Sequence, residues 1–235
     1  MTDDRLGLPV PDWTPPRAPD AAVLTGRFVQ LERLRAEHAA DLHRAYAKSD
    51  AIWDYLPYGP FDADVQAAWV AAMVSKTDPW FYALRDLRSG VAGGVASFMR
   101  IDPAAGSIEV GGINLSPALQ RTAAATEAMV LMMDWAFAAG YRRYEWKCNA
   151  LNLPSRRAAE RLGLSFEGVF RQATVVKGRN RDTAWFAAID SDWPALRVAF
   201  DRWLAPDNFD ASGAQIRSLT SLTAPVLVSR DPALV

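Results

Sequence analysis

The strongest constraint on the fold lies between residues 107 and 148. Ser107 to Leu115 (SIEVGGINL) has strand character, and a short linker covers Pro117 to Arg121. Thr122 to Ala139 (TAAATEAMVLMMDWAFAA) is a long run of strong helix formers closed by Gly140, and Tyr144 to Cys148 returns to strand. Strand, long helix and strand make a parallel pair, because parallel neighbours need a connection of a dozen or more residues. The chain therefore belongs to the α/β class, with a mixed sheet.

The flanking sequence adds antiparallel elements. Phe28 to Leu34 alternates as a half-buried strand, and Ala36 to Lys48 sets Ala40, Leu42, Ala45 and Tyr46 at helical spacing. Asp62 is an N-cap for a helix with Val65, Trp69, Ala72 and Met73 on one face, ending before Asp78-Pro79. Trp80 to Arg85, Val91 to Met99 and Ser107 to Leu115 form a meander through DLRSG and a turn at Asp102 to Gly106. Later come a helix at Pro154 to Leu162 and a hairpin of Phe170 to Val176 and Thr183 to Ile189 around KGRNRD. A final helix, Asp192 to Leu204, carries Trp193, Leu196, Phe200 and Trp203 on one side. The order is β-α-α-β-β-β-α-β-α-β-β-α, and with no repeat or internal linker it reads as one domain over 23–205. Residues 1–22, with five prolines from Pro9 to Pro19, read as an extended arm. Residues 206–235 are weakly patterned and fit a tail, an edge strand or a dimer arm, which leaves a homodimer open.

Charge narrows the partners. Lys plus Arg is 26 and Asp plus Glu is 27, so no global field draws the chain to nucleic acid or anionic lipid. No apolar run reaches the roughly 18 residues of a membrane span, and the opening MTDDRLGLPV lacks a secretory core, so a cytoplasmic place is expected. One cysteine, Cys148, permits neither an internal disulfide nor a thiolate cluster, and no metal is expected. His38 and His43 belong to the first helix, so no histidine near in sequence activates Cys148 as a nucleophile.

The linker before the long helix is built for an anion. Its first-turn N–H groups have no intrahelical acceptor, the helix dipole adds positive potential, and no proline occurs between Ala118 and Glu127. Ala123, Ala124 and Ala125 let a ligand approach the backbone, or alternatively pack the helix on the sheet. Gln120-Arg121-Thr122-Ala123-Ala124-Ala125 resembles the Q/R-x-x-G-x-G/A acyl-CoA-binding signature of the GCN5-related N-acetyltransferases, closest to the branch of the ribosomal-protein N-terminal acetyltransferases (the RimJ/RimL type). Ala123 stands at a glycine position of that signature. Asn152-Leu153-Pro154-Ser155 and the helix ending at Gly163-Leu164 resemble the family's N-x-x-S/A helix. Asn152 and Pro154 also suit a helix start on their own account.

The resemblance covers about residues 24–204 and implies a mixed, mostly antiparallel sheet with helices on both faces and a splayed parallel strand pair. It implies acetyl-CoA as cofactor and transfer of acetyl to a primary amine, on a protein N-terminus or a small molecule, by direct attack in a ternary complex. The implied cofactor residues are Ile113, Leu115, Gln120, Arg121, Thr122, Ala123, Ala124, Ala125, Asn152 and Ser155. Glu109, the only ionisable residue of its strand, is either the candidate general base, acting through water, or a solvated face position or salt-bridge partner. Many relatives carry a tyrosine acid seven residues after the helix asparagine; here that position is Ala159, so the acid lies elsewhere or is dispensable, and Ser155 is either the candidate acid or a residue that only hydrogen-bonds the pantetheine or caps the helix. Trp53, Tyr55 and Tyr58, in the loop DAIWDYLPYGP, either fold onto the core or wall the acceptor site by apolar or cation–π contact. Lys177, Arg179 and Arg181 read as a solvated hairpin tip, or alternatively steer an acidic acceptor or a coenzyme phosphate. The other reading is a non-catalytic acyl-CoA-binding or protein-interaction module on the same fold.

Overall fold

The computed structural model describes residues 7–234. Eight strands form one sheet in the order β1-β2-β3-β4-β5-β6-β8-β7. Strands β1 (Val23–Thr25), β2 (Val29–Arg33), β3 (Trp80–Asp86), β4 (Ala92–Asp102) and β5 (Ser107–Leu115) are antiparallel neighbours. β6 (Arg143–Asn149) runs parallel to β5, and the hairpin β7 (Ser165–Val176) and β8 (Arg179–Ile189) completes the sheet through β8. The helices are α1 (His38–Tyr46), α2 (Ala63–Val74), α3 (Ala123–Ala138), α4 (Leu153–Arg161), α5 (Trp193–Leu204) and the short α6 (Leu219–Thr223). No helix among the described residues is long and apolar enough to cross a membrane.

Both faces of the sheet are covered, which is why β3 and β4 read as nearly continuous apolar runs. Tyr82, Leu84, Phe98, Ile108, Val110, Tyr144 and Phe186 pack on one face with Met132, Met133 and Ala136 of α3 and Phe200 of α5. On the other face Phe81, Ala83 and Val95 meet Leu42 and Tyr46 of α1, Val70 of α2 and Trp53 of the loop between them. α3 is buried from Ala124 to Val130 and again around Met132 to Ala136, as expected of a helix with no polar side. Glu127, in that helix, accepts the N–H groups of Arg27, Phe28 and Val29 at 2.9, 2.6 and 3.0 Å. Three charge-assisted bonds thus fix the start of β2 against α3.

A second buried carboxylate holds β2 to β3. Glu32 takes two bonds from Arg85, at 2.6 and 3.0 Å, and one from His38 at 2.8 Å. The Arg85 guanidinium, aided by His38 and opposed by burial, lowers the Glu32 pKa to about 2. A lowered folded pKa means stability that is present above the unfolded value of about 4.5 and is lost as pH falls toward 2. Glu32→Gln is therefore expected to destabilise the protein at neutral pH by on the order of 2 kcal/mol. It should also flatten the acid side of a stability-versus-pH curve measured by urea unfolding.

Several local expectations are corrected. α2 buries Gln66 and Val70, with Trp69 and Met73 packed beside them, while Val65 is exposed; the helix is rotated from the predicted face. The β7–β8 turn is Lys177-Gly178 alone, both at positive φ (48° and 72°), the geometry of a tight two-residue hairpin. Arg179 to Asp182 are consequently strand residues and Arg181 is no part of a tip. The arm from residue 7 to residue 22 is extended but not free: Pro16 and Pro19 are buried, and Arg17 lies over Trp135 of α3. Residues 206–234 fold back on the body, burying Asn208, Leu219, Thr223 and Asp231.

Candidate active site

β5 and β6 are paired only from Ser107 with Arg143 to Val110 with Trp146. Beyond that point β5 stays with β4 alone, through a register irregularity in which Gly112 takes φ +59°. An irregularity of this kind bends a strand away from its partner. A wedge therefore opens between Gly111–Leu115 and the end of β6, with half-buried Ile113 and Leu115 on its β5 side.

At the mouth of the wedge the linker delivers unpaired amides. Leu119 and Gln120 donate their N–H groups to Ser116 O, and Thr122 caps α3 by accepting Ala125 N–H at 3.1 Å. The N–H groups of Arg121, Thr122, Ala123 and Ala124 find no acceptor among the described residues. The left-handed residue of the loop is Arg121, at φ 62°, so Ala123 sits in ordinary helical backbone and needs no glycine. Exposed Gln120 braces the loop by donating its amide to Leu115 O at 2.9 Å. Ala123 is half-buried, while Ala124 and Ala125 are buried. Successive free N–H groups at a helix start suit the oxygens of a pyrophosphate, so the residues present fit that part of coenzyme A.

The other side of the wedge is the start of α4. Asn152 Oδ1 accepts Ser155 N–H at 3.1 Å, and Ser155 Oγ accepts from Trp146 Nε1 at 3.0 Å, which turns the hydroxyl toward β6. Cys148 is buried there, and burial pushes its thiol pKa up, although the Ser155 hydroxyl works the other way. A thiol so placed stays protonated and is a poor nucleophile. Ala159 is wholly buried in the core. Next to Ser155, Arg156 forms a two-pronged ion pair with Asp231, the side chains 7% and 0% exposed, and gives a third bond to Ala150 O at 2.7 Å.

Glu109 lies on the opposite face of β5 from Ile108 and Val110, and it is only 3% exposed. Its Oε2 meets Arg100 at 2.7 Å and Lys147 at 3.1 Å, while Oε1 carries no bond among the described residues. Gly111 makes room for the Met99 sulfur and for Oε1, both of which would lie within 3.0 Å of a Cβ there. Burial raises the Glu109 pKa above the ordinary carboxylate value, against the pull of Arg100 and Lys147. Lys147 is shared with Glu145 at 2.7 Å and lies 3.7 Å over the ring of Trp185.

The aromatic loop divides. Trp53 is 4% exposed and packs edge-on to Tyr46, while Tyr58, half-buried, stacks with Phe61; Trp53 belongs to the satellite core and Tyr58 packs against it. Tyr55 is 39% exposed and donates its hydroxyl to Leu151 O at 3.1 Å, tying the loop to the turn before α4. Lys177 Nζ reaches Trp53 O at 3.0 Å and closes the loop against the β7–β8 hairpin. The linker amides and Ser155 thus border the wedge from α3 and α4, Tyr55 is tied to the turn before α4, and Glu109 lies on the other face of the sheet with Arg100 and Lys147. Sequence reasoning missed Arg100, Lys147 and Asp231. Lys147 was legible from register, because a parallel partner of β5 carries it two residues past the position opposite Glu109. Nothing local to Asp231 signals its partner 75 residues away.

Comparisons with known proteins fit this geometry. A family model described as an acetyltransferase (GNAT) domain matches residues 29–165. A GCN5-related N-acetyltransferase from Brucella melitensis superposes with a TM-score of 0.89 at 45% identity, covering 92% of this chain and all of its own. A probable GNAT-family acetyltransferase from Chromobacterium violaceum gives 0.76 at 42% identity, over 80% of this chain and 96% of its own. RimL, a ribosomal L7/L12 alpha-N-protein acetyltransferase solved with coenzyme A, shares the fold at 21% identity and a TM-score of 0.63, over 72% and 99% of the two chains. No curated protein matches. With the family model spanning more than half of the chain and two solved relatives above 40% identity, the protein is a member of the GNAT acetyltransferase family.

Proposed function

We propose that this chain transfers the acetyl group of acetyl-CoA to a primary amine, on a protein N-terminus or a small molecule, by direct attack in a ternary complex. The observation that carries the reading is the row of unpaired N–H groups from Arg121 to Ala124 at the mouth of the β5–β6 wedge. Those amides, with Gln120, would hold the pyrophosphate; Ile113 and Leu115 would flank the pantetheine; Asn152 and Ser155 would face it from α4. Acetyl-CoA supplies an activated acyl group. The chain's own work is to place an amine beside it and move two protons.

Glu109 is positioned to take the first proton through water, using the unbonded Oε1 beside Gly111. Its raised pKa makes it a better base than an ordinary surface carboxylate, while two cations keep it from neutralising entirely. Ser155, with its oxygen accepting from Trp146 and its hydroxyl beside Cys148, would turn its O–H toward a departing thiolate. Tyr55, exposed and tied to the turn before α4, would meet the acceptor, while Trp53 and Tyr58 are taken up by the satellite core behind the loop. A ribosomal-protein N-terminus, the acceptor of RimL, is one member of the acceptor class.

Free-thiol release from acetyl-CoA in the presence of an amine panel tests the transferase; binding without turnover across the panel favours the non-catalytic module. The cradle is tested separately by Ala123→Glu. This half-buried position tolerates a longer side chain, and a carboxylate suits a helix start, so the fold should survive. Calorimetry should show acetyl-CoA affinity reduced by about a hundredfold through like-charge contact with the phosphates. Unchanged affinity would remove the cradle from residues 120–125.

A further inference from the structure

On the face of the sheet that carries Glu109, Arg181 has no ion-pair partner among the described residues. β8 is regular from Thr183 to Ile189, with Lys147 of β6 opposite Trp185. Arg181 lies four residues before Trp185 in the same strand, opposite Thr174 of β7, so alternation places it on the face of Trp185 and Lys147. Its guanidinium is only partly exposed, and its Nε is shut from water with no acceptor. Among the described residues every other arginine that is not exposed is satisfied. Arg33 reaches backbone carbonyls, Arg161 reaches Thr126, and Arg85, Arg143, Arg156 and Arg202 reach carboxylates.

The carboxylates of this face are already engaged. Glu109 holds Arg100 and Lys147, Glu145 holds Lys147 and Arg143, and Glu167 holds Arg143. Asp182, the neighbour of Arg181, accepts Gln172 N–H and the Asn180 amide. Arg181 is nonetheless close enough to Glu109 and Arg100 for both to act on its charge. A shielded guanidinium with a buried, unbonded N–H is costly to the free protein and matches an oxoanion that arrives from outside. The amide cradle at the start of α3 serves the other face, where α3 packs, so the coenzyme's pyrophosphate does not supply that anion.

We propose that Arg181 binds a carboxylate of the acceptor, so that the substrates are amines carrying a carboxyl group within a few bonds of the reacting nitrogen. This rests on the transferase reading and names its acceptor class. Free amino acids and peptides beginning with an acidic residue share this chemistry. They are separated by assaying amino acids against their amides, and Asp-initiated peptides against Asn-initiated ones.

In at least one of these pairs the wild-type kcat/KM is expected to favour the carboxylate member by about ten- to a hundredfold, the range of a charge-assisted arginine contact. R181Q should abolish the preference through KM, with kcat and acetyl-CoA affinity nearly unchanged, and R181K should restore part of it. Because Arg181 has no partner in the fold, R181Q should melt at the wild-type temperature or above it. The inference is overturned if both members of every pair react equally, if R181Q keeps the preference, or if R181Q loses acetyl-CoA binding in calorimetry. Absence of thiol release with every amine would overturn the transferase reading itself, and the inference with it.

Discussion

Replacing Glu109 with glutamine is expected to lower turnover by about a hundred- to ten-thousandfold, the range of a positioned general base. Acetyl-CoA affinity should stay within about twofold, because the loss falls on the chemical step. The fold should tolerate the change: Lys147 keeps Glu145 at 2.7 Å, and Arg100, 58% exposed, is solvated without its partner. The pH profile carries the sharper test. A base works ionised, and burial raises the Glu109 pKa, so wild-type kcat should fall on the acid side through a value above that of a free carboxylate. In the glutamine variant that acid limb should vanish. A limb that persists unchanged would assign the titration to another group and reduce Glu109 to an ion-pair partner of Arg100 and Lys147.

The second large effect is structural. Asp231→Ala should destabilise the protein by about 3–5 kcal/mol, the cost of stranding a buried charge, measured by urea unfolding. Arg156 would lose both of its carboxylate bonds while 7% exposed. Replacing the pair together, Arg156→Met with Asp231→Leu, should recover most of that stability, since an apolar pair of similar volume avoids desolvation. It should not recover coenzyme affinity to the same degree. Arg156 also holds Ala150 O at 2.7 Å, in the turn that leads to Asn152 and Ser155. Full recovery of both properties would show that the pair only fastens the tail.

Periodicity carried the elements whose neighbours are close in sequence. The Thr122 cap, the Asp62 cap and the crossover to a parallel strand were legible because capping and connection length are local constraints. α2 was misread because Gln66 and Val70, not Val65 and Ala72, face the sheet, and a polar residue at 1% exposure defies a hydrophobic count. The β7–β8 turn was read too long because KGRNRD looks solvated, while only Lys177 and Gly178 take the left-handed backbone a tight turn needs. That single difference moves Arg181 from a tip into the body of β8. Within the site, residues on the linker and α4 were legible through their motifs. Arg100 and Lys147 were not, because a charge in one strand says nothing about the carboxylate that a neighbouring strand will bring beside it.

The clasp between Arg156 and Asp231 also orders events in time. A chain made from its N-terminus completes β5, the amide cradle and α3 well before residue 231 appears, and Arg156 precedes its counter-ion by 75 residues. Until Asp231 has left the ribosome, the start of α4 must either carry an uncompensated charge into the core or stay undocked. The start of α4 is thus the last part of the domain to set. Nascent chains and products of late premature stops should hold a formed sheet but lack a competent cleft.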